Sequence, residues 1–453
     1  MNIVIVGIGK VGHALAEHLA AEGHDITVID HRPEVVAHAG DILDIIGAVG
    51  NGASYRVQKE AGVQNADLLI AASDSDEVNM LCCLVAKKLG VSTTIARVRN
   101  PEYESQLGLM TDELGISLAI NPERETAREI SRILRFPSAT KVETFAKGRI
   151  ELVEYRIPQG SPLAGLCLTD LGKTVRAHVL ICAVQRAGEV LIPDGSFRLQ
   201  EGDKINITAP IAQMEGFFRQ LGAYRDRADT VMIVGAGKIT YYLTAELNKM
   251  GMKVKVLDRS PERCEDFAHS FPDVLVIQGD ATDHELLTEE GLDHCDAFVA
   301  LTGLDELNIM LSMYAGVHEV GRSIAKVNRN SFAEIVSKTG IVESIVSASG
   351  VTVNRIAQYV RALQNSTGSN VQALHRMVDN QVEALEFHIG AGARVTGVPL
   401  SELAIKSNIL IASIRRRDGD AILPSGQDVL QEGDSVVVVT TRTGLNDLND
   451  ILK

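Results

Sequence analysis

The sequence predicts an α/β chain built twice over: a doubly wound parallel sheet followed by a small β-rich α+β domain, then the same pair again. Three observations carry this prediction. Short apolar runs alternate with amphipathic stretches of helical period. The chain opens on a strand, a glycine loop and a helix in immediate succession, IVIVGIGKVGHAL at Ile3–Leu15. The chain also resembles itself over long distances.

In the first copy the apolar runs place strands at Asn2–Val6, Asp25–Ile29, Ile42–Ile46, Leu68–Ala72 and Thr94–Val98, with a sixth at Ile116–Ile120. The stretches VGHALAEHLAAEG (Val11–Gly23) and NMLCCLVAKKLG (Asn79–Gly90) read as helices whose terminal glycine supplies the left-handed stop. Asn121–Ser138 reads as a further helix, with Asn121 as cap, Pro122 in the first turn, acids early and Phe136-Pro137 as its end. After it the texture changes to short strands punctuated by Gly, Pro and Asp. RLQEGDKINITAP (Arg198–Pro210) and VLQEGDSVVVVTT (Val429–Thr441) are each a turn followed by a strand. Domains of about 80 residues are small for independent stability, and pairing with another copy buries more of them.

The repeat is quantitative. Gly7 and Gly235 stand 228 residues apart, as do Asp30 and Asp258. GNGAS (Gly50–Ser54) answers GDATD (Gly279–Asp283) at 229, and ADLLIAASDSDEVNM (Ala66–Met80) answers CDAFVALTGLDELNI (Cys295–Ile309) at 229. The match continues into the small domains, Ile157–Gly165 with Ile389–Gly397 at 232 and Gly188–Asp203 with Gly419–Asp434 at 231. The expected boundaries are 1–124, 143–225, 229–350 and 371–453.

Composition removes several classes of function. A formal charge of −15 gives no general attraction to a phosphate backbone, so no nucleic-acid partner is expected. No apolar run approaches the roughly 20 residues of a membrane helix, and Met1 leads almost directly into a strand, with no secretory leader. The cysteines, Cys82, Cys83, Cys167, Cys182, Cys264 and Cys295, form no CxxC pair and read as small packing residues in a reducing compartment. The acids of Asp74-x-Asp76-Glu77 and Asp305-Glu306 read as helix caps in preference to a metal site.

The glycine loop carries the chemistry. In Gly7-x-Gly9-x-x-Gly12, Gly7 allows the tight turn, Gly9 lets a pyrophosphate approach the backbone, and Gly12 lets helix and strand pack; phosphates then sit at the positive helix end. Asp30, about 20 residues on, is placed for ribose hydroxyls. This is the Rossmann-type arrangement. The second loop is Gly235-x-Gly237-x-x-Thr240 with Asp258; Thr240 in place of glycine requires helix and strand to part or tilt. Asp280 replaces Asn51, and Lys326 replaces Arg97. Acids at the ribose position favour NAD over NADP, while ATP and ADP fit the same logic. A hydride-transferring enzyme needs an acid/base and a substrate clamp in a further domain, and the β-rich parts offer none; His178 and His388 occupy unrelated positions of the two copies.

With GIGKVG, VID, GNGAS, SDSDEVNM and IARVRNPEY followed by LIPDGSFRLQEGD, the first copy resembles the domains that regulate conductance of potassium, RCK-N and RCK-C, and the second copy repeats the pair. Two such pairs in one chain resemble the TrkA family of regulatory subunits. The resemblance covers essentially the whole chain. It implies a non-enzymatic, nucleotide-sensing gating subunit, lying in the cytoplasm against the inner face of the cell membrane, beneath a membrane-embedded potassium-translocating subunit of TrkH or TrkG type. It implies a homo-oligomer, expected to be a tetramer, that responds to NAD(H) or to ATP/ADP. By motif the first site is Gly7, Ile8, Gly9, Lys10, Val11, Asp30, Ser73, Asp74 and Arg97; the second is Gly235, Ala236, Gly237, Lys238, Ile239, Asp258, Asp280 and Thr302; no metal and no catalytic residue is implied. Departures from the family pattern, Asn51, Thr240 and Lys326, leave open which site answers which nucleotide. The alternative is an NAD-dependent oxidoreductase. A DNA-binding reading lacks a basic recognition helix, since IRRRDG (Ile414–Gly419) continues a strand into a turn as a solvated hairpin end.

Overall fold

The described residues form two six-stranded parallel sheets and two five-stranded antiparallel sheets, with helices between the strands. The structure, a computed structural model, describes all residues except 104–107, 109–112, 136–138, 146–149, 222–227, 330–335, 337–341, 343, 367–370, 378–380, 391, 418–420, 443–444 and 446.

The first parallel sheet is built from β1 (Asn2–Val6), β2 (Asp25–Asp30), β3 (Ile46–Val49), β4 (Leu68–Ala71), β5 (Thr93–Arg97) and β6 (Leu118–Ile120), in the order β3-β2-β1-β4-β5-β6. Its central strands are apolar on both faces because helices cover both, so Ile3 to Val6 and Leu68 to Ala71 are all buried. The chain reverses direction of travel between β1 and β4, which opens a crevice at their carboxyl ends. The expected glycine stops are present: Gly23 at φ +81° and Gly90 at φ +103° follow helices Lys10–Ala21 and Asp76–Lys88.

One expected strand is displaced. Helix Pro33–Ile42 runs through Ile42, and β3 occupies Ile46–Val49 instead of Ile42–Ile46. The run DILDIIGAV suits either state; burial of Val36 and Ala39 decides for helix. Gly47 then lets the strand pass close to that helix, since a Cβ there would stand 2.4 Å from Val36 Cγ1. The repeat held the answer: the second copy's strand Leu275–Gln278, moved back by its 229-residue offset, falls on Ile46–Val49.

The second parallel sheet repeats the first strand for strand: β12 (Thr230–Val234), β13 (Lys253–Asp258), β14 (Leu275–Gln278), β15 (Ala297–Ala300), β16 (Ser323–Lys326) and β17 (Ser344–Val346), in the order β14-β13-β12-β15-β16-β17. The two parallel sheets belong to one compact unit, Met1–Ser131 with Ala228–Ala357. Inside that unit Asn121 Nδ2 donates to the Tyr242 hydroxyl at 2.9 Å, joining the copies. Asn121 is also the expected cap, its Oδ1 accepting from Arg124 N at 3.0 Å ahead of helix Pro122–Arg135. The Phe136-Pro137 stop lies outside the described residues.

The small domains form the other unit, Arg132–Arg227 with Gln358–Lys453. In the first, β7 (Ala139–Phe145), β8 (Ile150–Arg156), β9 (Leu180–Arg186), β10 (Glu189–Leu191) and β11 (Lys204–Pro210) are arranged β10-β9-β11-β8-β7. In the second, β18 (Val371–Met377), β19 (Val382–His388), β20 (Ile409–Arg415), β21 (Ala421–Ile422) and β22 (Ser435–Thr440) follow the same plan. Each QEGD turn is pinned by a buried aspartate: Asp203 pairs with Arg186 at 2.7 Å, and Asp434 with Arg416 at 2.7 Å. Arg416 is therefore half-buried and paired, where the sequence suggested a solvated hairpin end; residues 418–420 of that hairpin lie outside the described set.

The two small domains cover each other. Leu152, Cys182 and Ala183 of the first pack with Val382, Ala384, Ala412, Val437 and Val439 of the second in one buried apolar cluster. Leu152→Ala should cost about 2–5 kcal/mol in the unfolding of this unit. Differential scanning calorimetry on the full chain checks this; an unchanged transition would show that the cluster is not closed in solution.

Candidate functional site

At the carboxyl edge of the first parallel sheet the chain leaves β1 through Gly7, whose φ of +89° only glycine adopts without strain. A Cβ at Gly7 would stand 2.7 Å from Ser73 N, and one at Gly12 would stand 1.9 Å from Gly7 O. A Cβ at Gly9 would meet nothing within 4 Å, so the loop is closed beneath and open above, on the side a phosphate would approach. Gly9 is also the N-cap of helix Lys10–Ala21, which has no side-chain cap and no acid in its first turn. By contrast Asp76–Lys88 has Asp76 and Glu77 in its first turn. The first helix end thus keeps its positive pole free for an anion, with Lys10 beside it.

Asp30 ends β2 and is buried. Its Oδ2 accepts the Ile8 amide at 2.8 Å, and its Oδ1 accepts the Arg32 amide at 3.0 Å and Arg32 Nε at 3.1 Å. Burial works to raise its pKa, but the Arg32 side chain and the two amides outweigh it and hold the group at about 2. Asp30 is thus a fixed anion that shapes the loop; ribose hydroxyls would compete with Arg32 for it.

The second edge repeats this. Gly235 has φ +104°, Gly237 is open above, and helix Lys238–Lys249 again lacks a side-chain cap and early acids. Asp258 Oδ2 accepts the Ala236 amide at 2.7 Å, and its Oδ1 accepts the Ser260 amide at 2.8 Å. Thr240, in the place of Gly12, is fully buried and donates its hydroxyl to the Gly235 carbonyl, the counterpart of the carbonyl a Cβ at Gly12 would strike. Val11 and Ile239 follow Lys10 and Lys238 in the first turns of these helices.

The remaining expected residues also reach these edges. Ser73 follows β4, and Asp74 is an exposed carboxylate 3.7 Å from Arg97 Nη1. Arg97 ends β5 with its guanidinium largely buried; burial and the nearby Arg99 lower its pKa. Thr302 takes the position of Ser73. Asp280 is exposed and accepts the Thr282 amide at 2.9 Å, and this and the Thr282 hydroxyl lower its pKa. In the structure it closes its own turn, as Asn51 does with the Ala53 amide at 2.9 Å.

Sequence reasoning missed the residues that hold each edge together. Asn79 is fully buried: its Oδ1 accepts from Ser73 N at 2.8 Å and Ser73 Oγ at 2.6 Å, and its Nδ2 donates to Ser73 O at 3.0 Å and Arg97 O at 2.9 Å. Asn308 makes the same four bonds with Thr302 and Lys326, at 2.9, 2.6, 3.2 and 2.9 Å. Asp76 and Asp305, expected as caps, have another task. Ser75 caps its helix by accepting from Val78 N, while Asp76 Oδ2 accepts the Arg99 and Asn100 amides at 2.8 and 2.7 Å. Asp305 likewise accepts the Asn328 and Arg329 amides. The signal was an asparagine at the same offset in both copies, three residues after an acid that is also repeated.

Among the described residues no cluster of three His, Cys, Asp or Glu is placed to hold a metal, and no helix is long and apolar enough to cross a membrane. All six cysteines are free, and burial pushes the Cys82 and Cys83 thiols up to about 12.

The profile of the TrkA-N domain matches residues 3–122 and 231–348, the two parallel-sheet domains, and that of the TrkA-C domain matches 152–222 and 384–453. The chain belongs to the TrkA family. It is 30% identical to a Trk system potassium uptake protein TrkA homolog of Archaeoglobus fulgidus, over 100% of both chains. The Trk system potassium uptake protein TrkA of Halomonas elongata is 31% identical, over 97% of this chain and 95% of that one. Among solved structures, the GsuK channel bound to NAD aligns at a TM-score of 0.64 and 20% identity, over 97% of this chain and 76% of that one. The GsuK RCK domain aligns at 0.62 and 20% identity, over 97% and 92%. These neighbours show that the TrkA family member has the tandem RCK fold.

The asparagine clamp generates a prediction. Asn79→Leu keeps the branched shape but strands the Ser73 amide and the Arg97 carbonyl, each costing about 1–3 kcal/mol. Urea unfolding should register the loss, and a variant as stable as the parent would remove Asn79 from its structural role.

Proposed function

We propose that this chain is the nucleotide-sensing regulatory subunit of a Trk-type potassium uptake system. The observation that carries the reading is the open, acid-free helix end behind a glycine loop, present in both copies beside an anchored aspartate. The first site is formed by Gly7, Ile8, Gly9, Lys10, Val11, Asp30, Ser73, Asp74 and Arg97. The second is formed by Gly235, Ala236, Gly237, Lys238, Ile239, Asp258, Asp280 and Thr302. NAD(H) is the ligand the acids favour, and ATP or ADP meets the same phosphate and ribose groups; GsuK, a distant structural neighbour, carries NAD in one structure and ADP in another. The boundaries proposed for the four domains are 1–124, 143–225, 229–350 and 371–453.

The chain senses its nucleotide and does not consume it. A ligand that binds one conformation tenfold better adds about 1.4 kcal/mol to that conformation. Repeated over several sites of a closed assembly, such increments bias a gate. The partner is a membrane-embedded potassium-translocating subunit of TrkH or TrkG type, and the subunit acts from the cytoplasm at the inner face of the membrane. The net charge of −15 speaks against nucleic acid.

Calorimetry tests the sites. Asp30→Asn keeps an acceptor for the Ile8 amide but removes the charge, and charge-assisted hydrogen bonds contribute about 1.5–3 kcal/mol. NADH and ADP affinity at one of two classes of site should fall about ten- to a hundredfold; unchanged affinity in both Asp30→Asn and Asp258→Asn would sink the assignment. Steady oxidation of NADH by the purified protein with a small carbonyl substrate would restore the oxidoreductase alternative.

Assembly is the second expectation. A chain with two pseudo-equivalent units closes a symmetric ring with few copies, and a tetramer presents eight parallel-sheet domains. Sedimentation at low micromolar concentration should give one discrete species near four chain masses. A monomer throughout that range, with or without nucleotide, would remove the gating role.

A further inference from the structure

A cavity of about 210 Å3 lies between helices Lys238–Lys249 and Pro261–Ser270 of the second copy. Rings of Tyr241 and Phe267 form its walls, Lys238, Arg263 and Asp266 supply charge, and Pro101 of the first copy also lines it. It shares Ala236, Gly237 and Lys238 with the proposed nucleotide site; Asp258, Asp280 and Thr302 do not line it.

Its chemistry is specific in kind. Phe271 braces both rings from behind, 5.0 Å from Tyr241 and 5.0 Å from Phe267 between centroids. The Lys238 ammonium makes no hydrogen bond or ion pair among the described residues. Arg263 Nη1 lies 3.9 Å from Asp258, beyond hydrogen-bond distance, with most of its side chain exposed. The site opens to solvent on one side, so a flat one- or two-ring system can lie against the Tyr241 and Phe267 rings without being fully enclosed. The first copy lacks these features: 228 residues earlier, Val35 stands for Arg263, Ala39 for Phe267 and His13 for Tyr241, and His13 stacks on His38 at 6.5 Å.

We propose that this cavity is a binding site for a small planar nitrogen heterocycle bearing one acidic group. The ring lies against Tyr241 and Phe267, the acid faces Lys238 and Arg263, and a ring N–H donates to Asp266. An occupant touches Pro101 as well, so it links the two parallel-sheet domains and favours the arrangement in which they meet.

Indole-3-acetate is the probe, because it has one ring system, one N–H and one carboxylate. The protein has no tryptophan, so fluorescence anisotropy excited selectively at indole reads the probe alone. The full-length protein should give a saturable rise, with a dissociation constant between about micromolar and millimolar. Tyr241→Ala and Arg263→Gln should each weaken it about tenfold, while Tyr241→Phe binds as the parent. Neutral indole-3-acetamide should bind more weakly and be indifferent to Arg263→Gln. The altered side chains are exposed, and circular dichroism on each variant establishes that the fold is kept. The proposal fails if the parent shows no saturable binding, or if Tyr241→Ala and Arg263→Gln bind as the parent does. It also fails if Thr302→Val, which changes a residue of the proposed nucleotide site that does not line this cavity, weakens binding as much as Arg263→Gln, because the probe would then occupy the nucleotide site.

Discussion

The contact on which each nucleotide-type edge depends is a buried carboxylate accepting one loop amide, Asp30 from Ile8 and Asp258 from Ala236. Once Gly7 and Gly235 turn the chain out of the sheet at positive φ, the next amide points back toward the strand ends. Buried amides need acceptors, and parallel strands offer none beyond their carboxyl ends. The acid at the end of the neighbouring strand supplies it. The contact sets where the following helix starts and leaves its first turn uncapped. The same group that would recognise a ribose therefore first builds the loop that would receive the phosphates.

The copies share this frame but not its charges. At the first edge Arg97 and Arg99 gather around Glu123, with Arg99 Nε 2.7 Å from the carboxylate. At the second edge Lys326 replaces Arg97 and Asn328 replaces Arg99, and Ser349 Oγ donates to the Asn328 carbonyl at 3.1 Å. Lys326 is buried, and burial lowers its pKa against the pull of Asp305 and Glu123. Gln58, which donates to Gly52 O at 2.7 Å and Cys82 O at 3.0 Å, gives way to an apolar Leu287. The bonds of the backbone frame are buried and mutually dependent, and they are the same in both copies. The charges at the crevice are not, so the two edges present unlike electrostatics.

How much was legible follows from how local each signal is. The strands β1, β2, β4 and β5, the glycine loops and the acids that end β2 and β13 are written in contiguous residues, and the sequence reading places them to within a residue or two. β3 was misplaced because DILDIIGAV lacks a clear period, and only Val36 packing over Gly47 selects helix then strand. Asp76 looked like a cap because acids suit a helix start; that its oxygen receives two amides from beyond β5 is a long-range fact. Asn79 and Asn308 were passed over for the same reason, although their common offset marked them.

Duplication within one chain also decides which surfaces remain for other chains. Joining the copies covalently raises the effective concentration of one small domain around the other. Their apolar faces meet inside the chain through Leu152, Val382 and Val439. The need to bury the small domains, which the sequence suggested as a reason for association, is thus partly met within a single copy. Apolar exposure among the described residues falls, Leu191 apart, on the parallel-sheet unit. Met310 is 69% exposed and Val317 80% exposed on helix Asp305–Val317, with Leu81 46% exposed at the position equivalent to Met310. An apolar helix stripe of this kind is costly to leave in water. The area that a larger assembly could bury therefore lies on the same unit as the glycine loops, so a ligand held at those loops would act on the unit that would make the contacts.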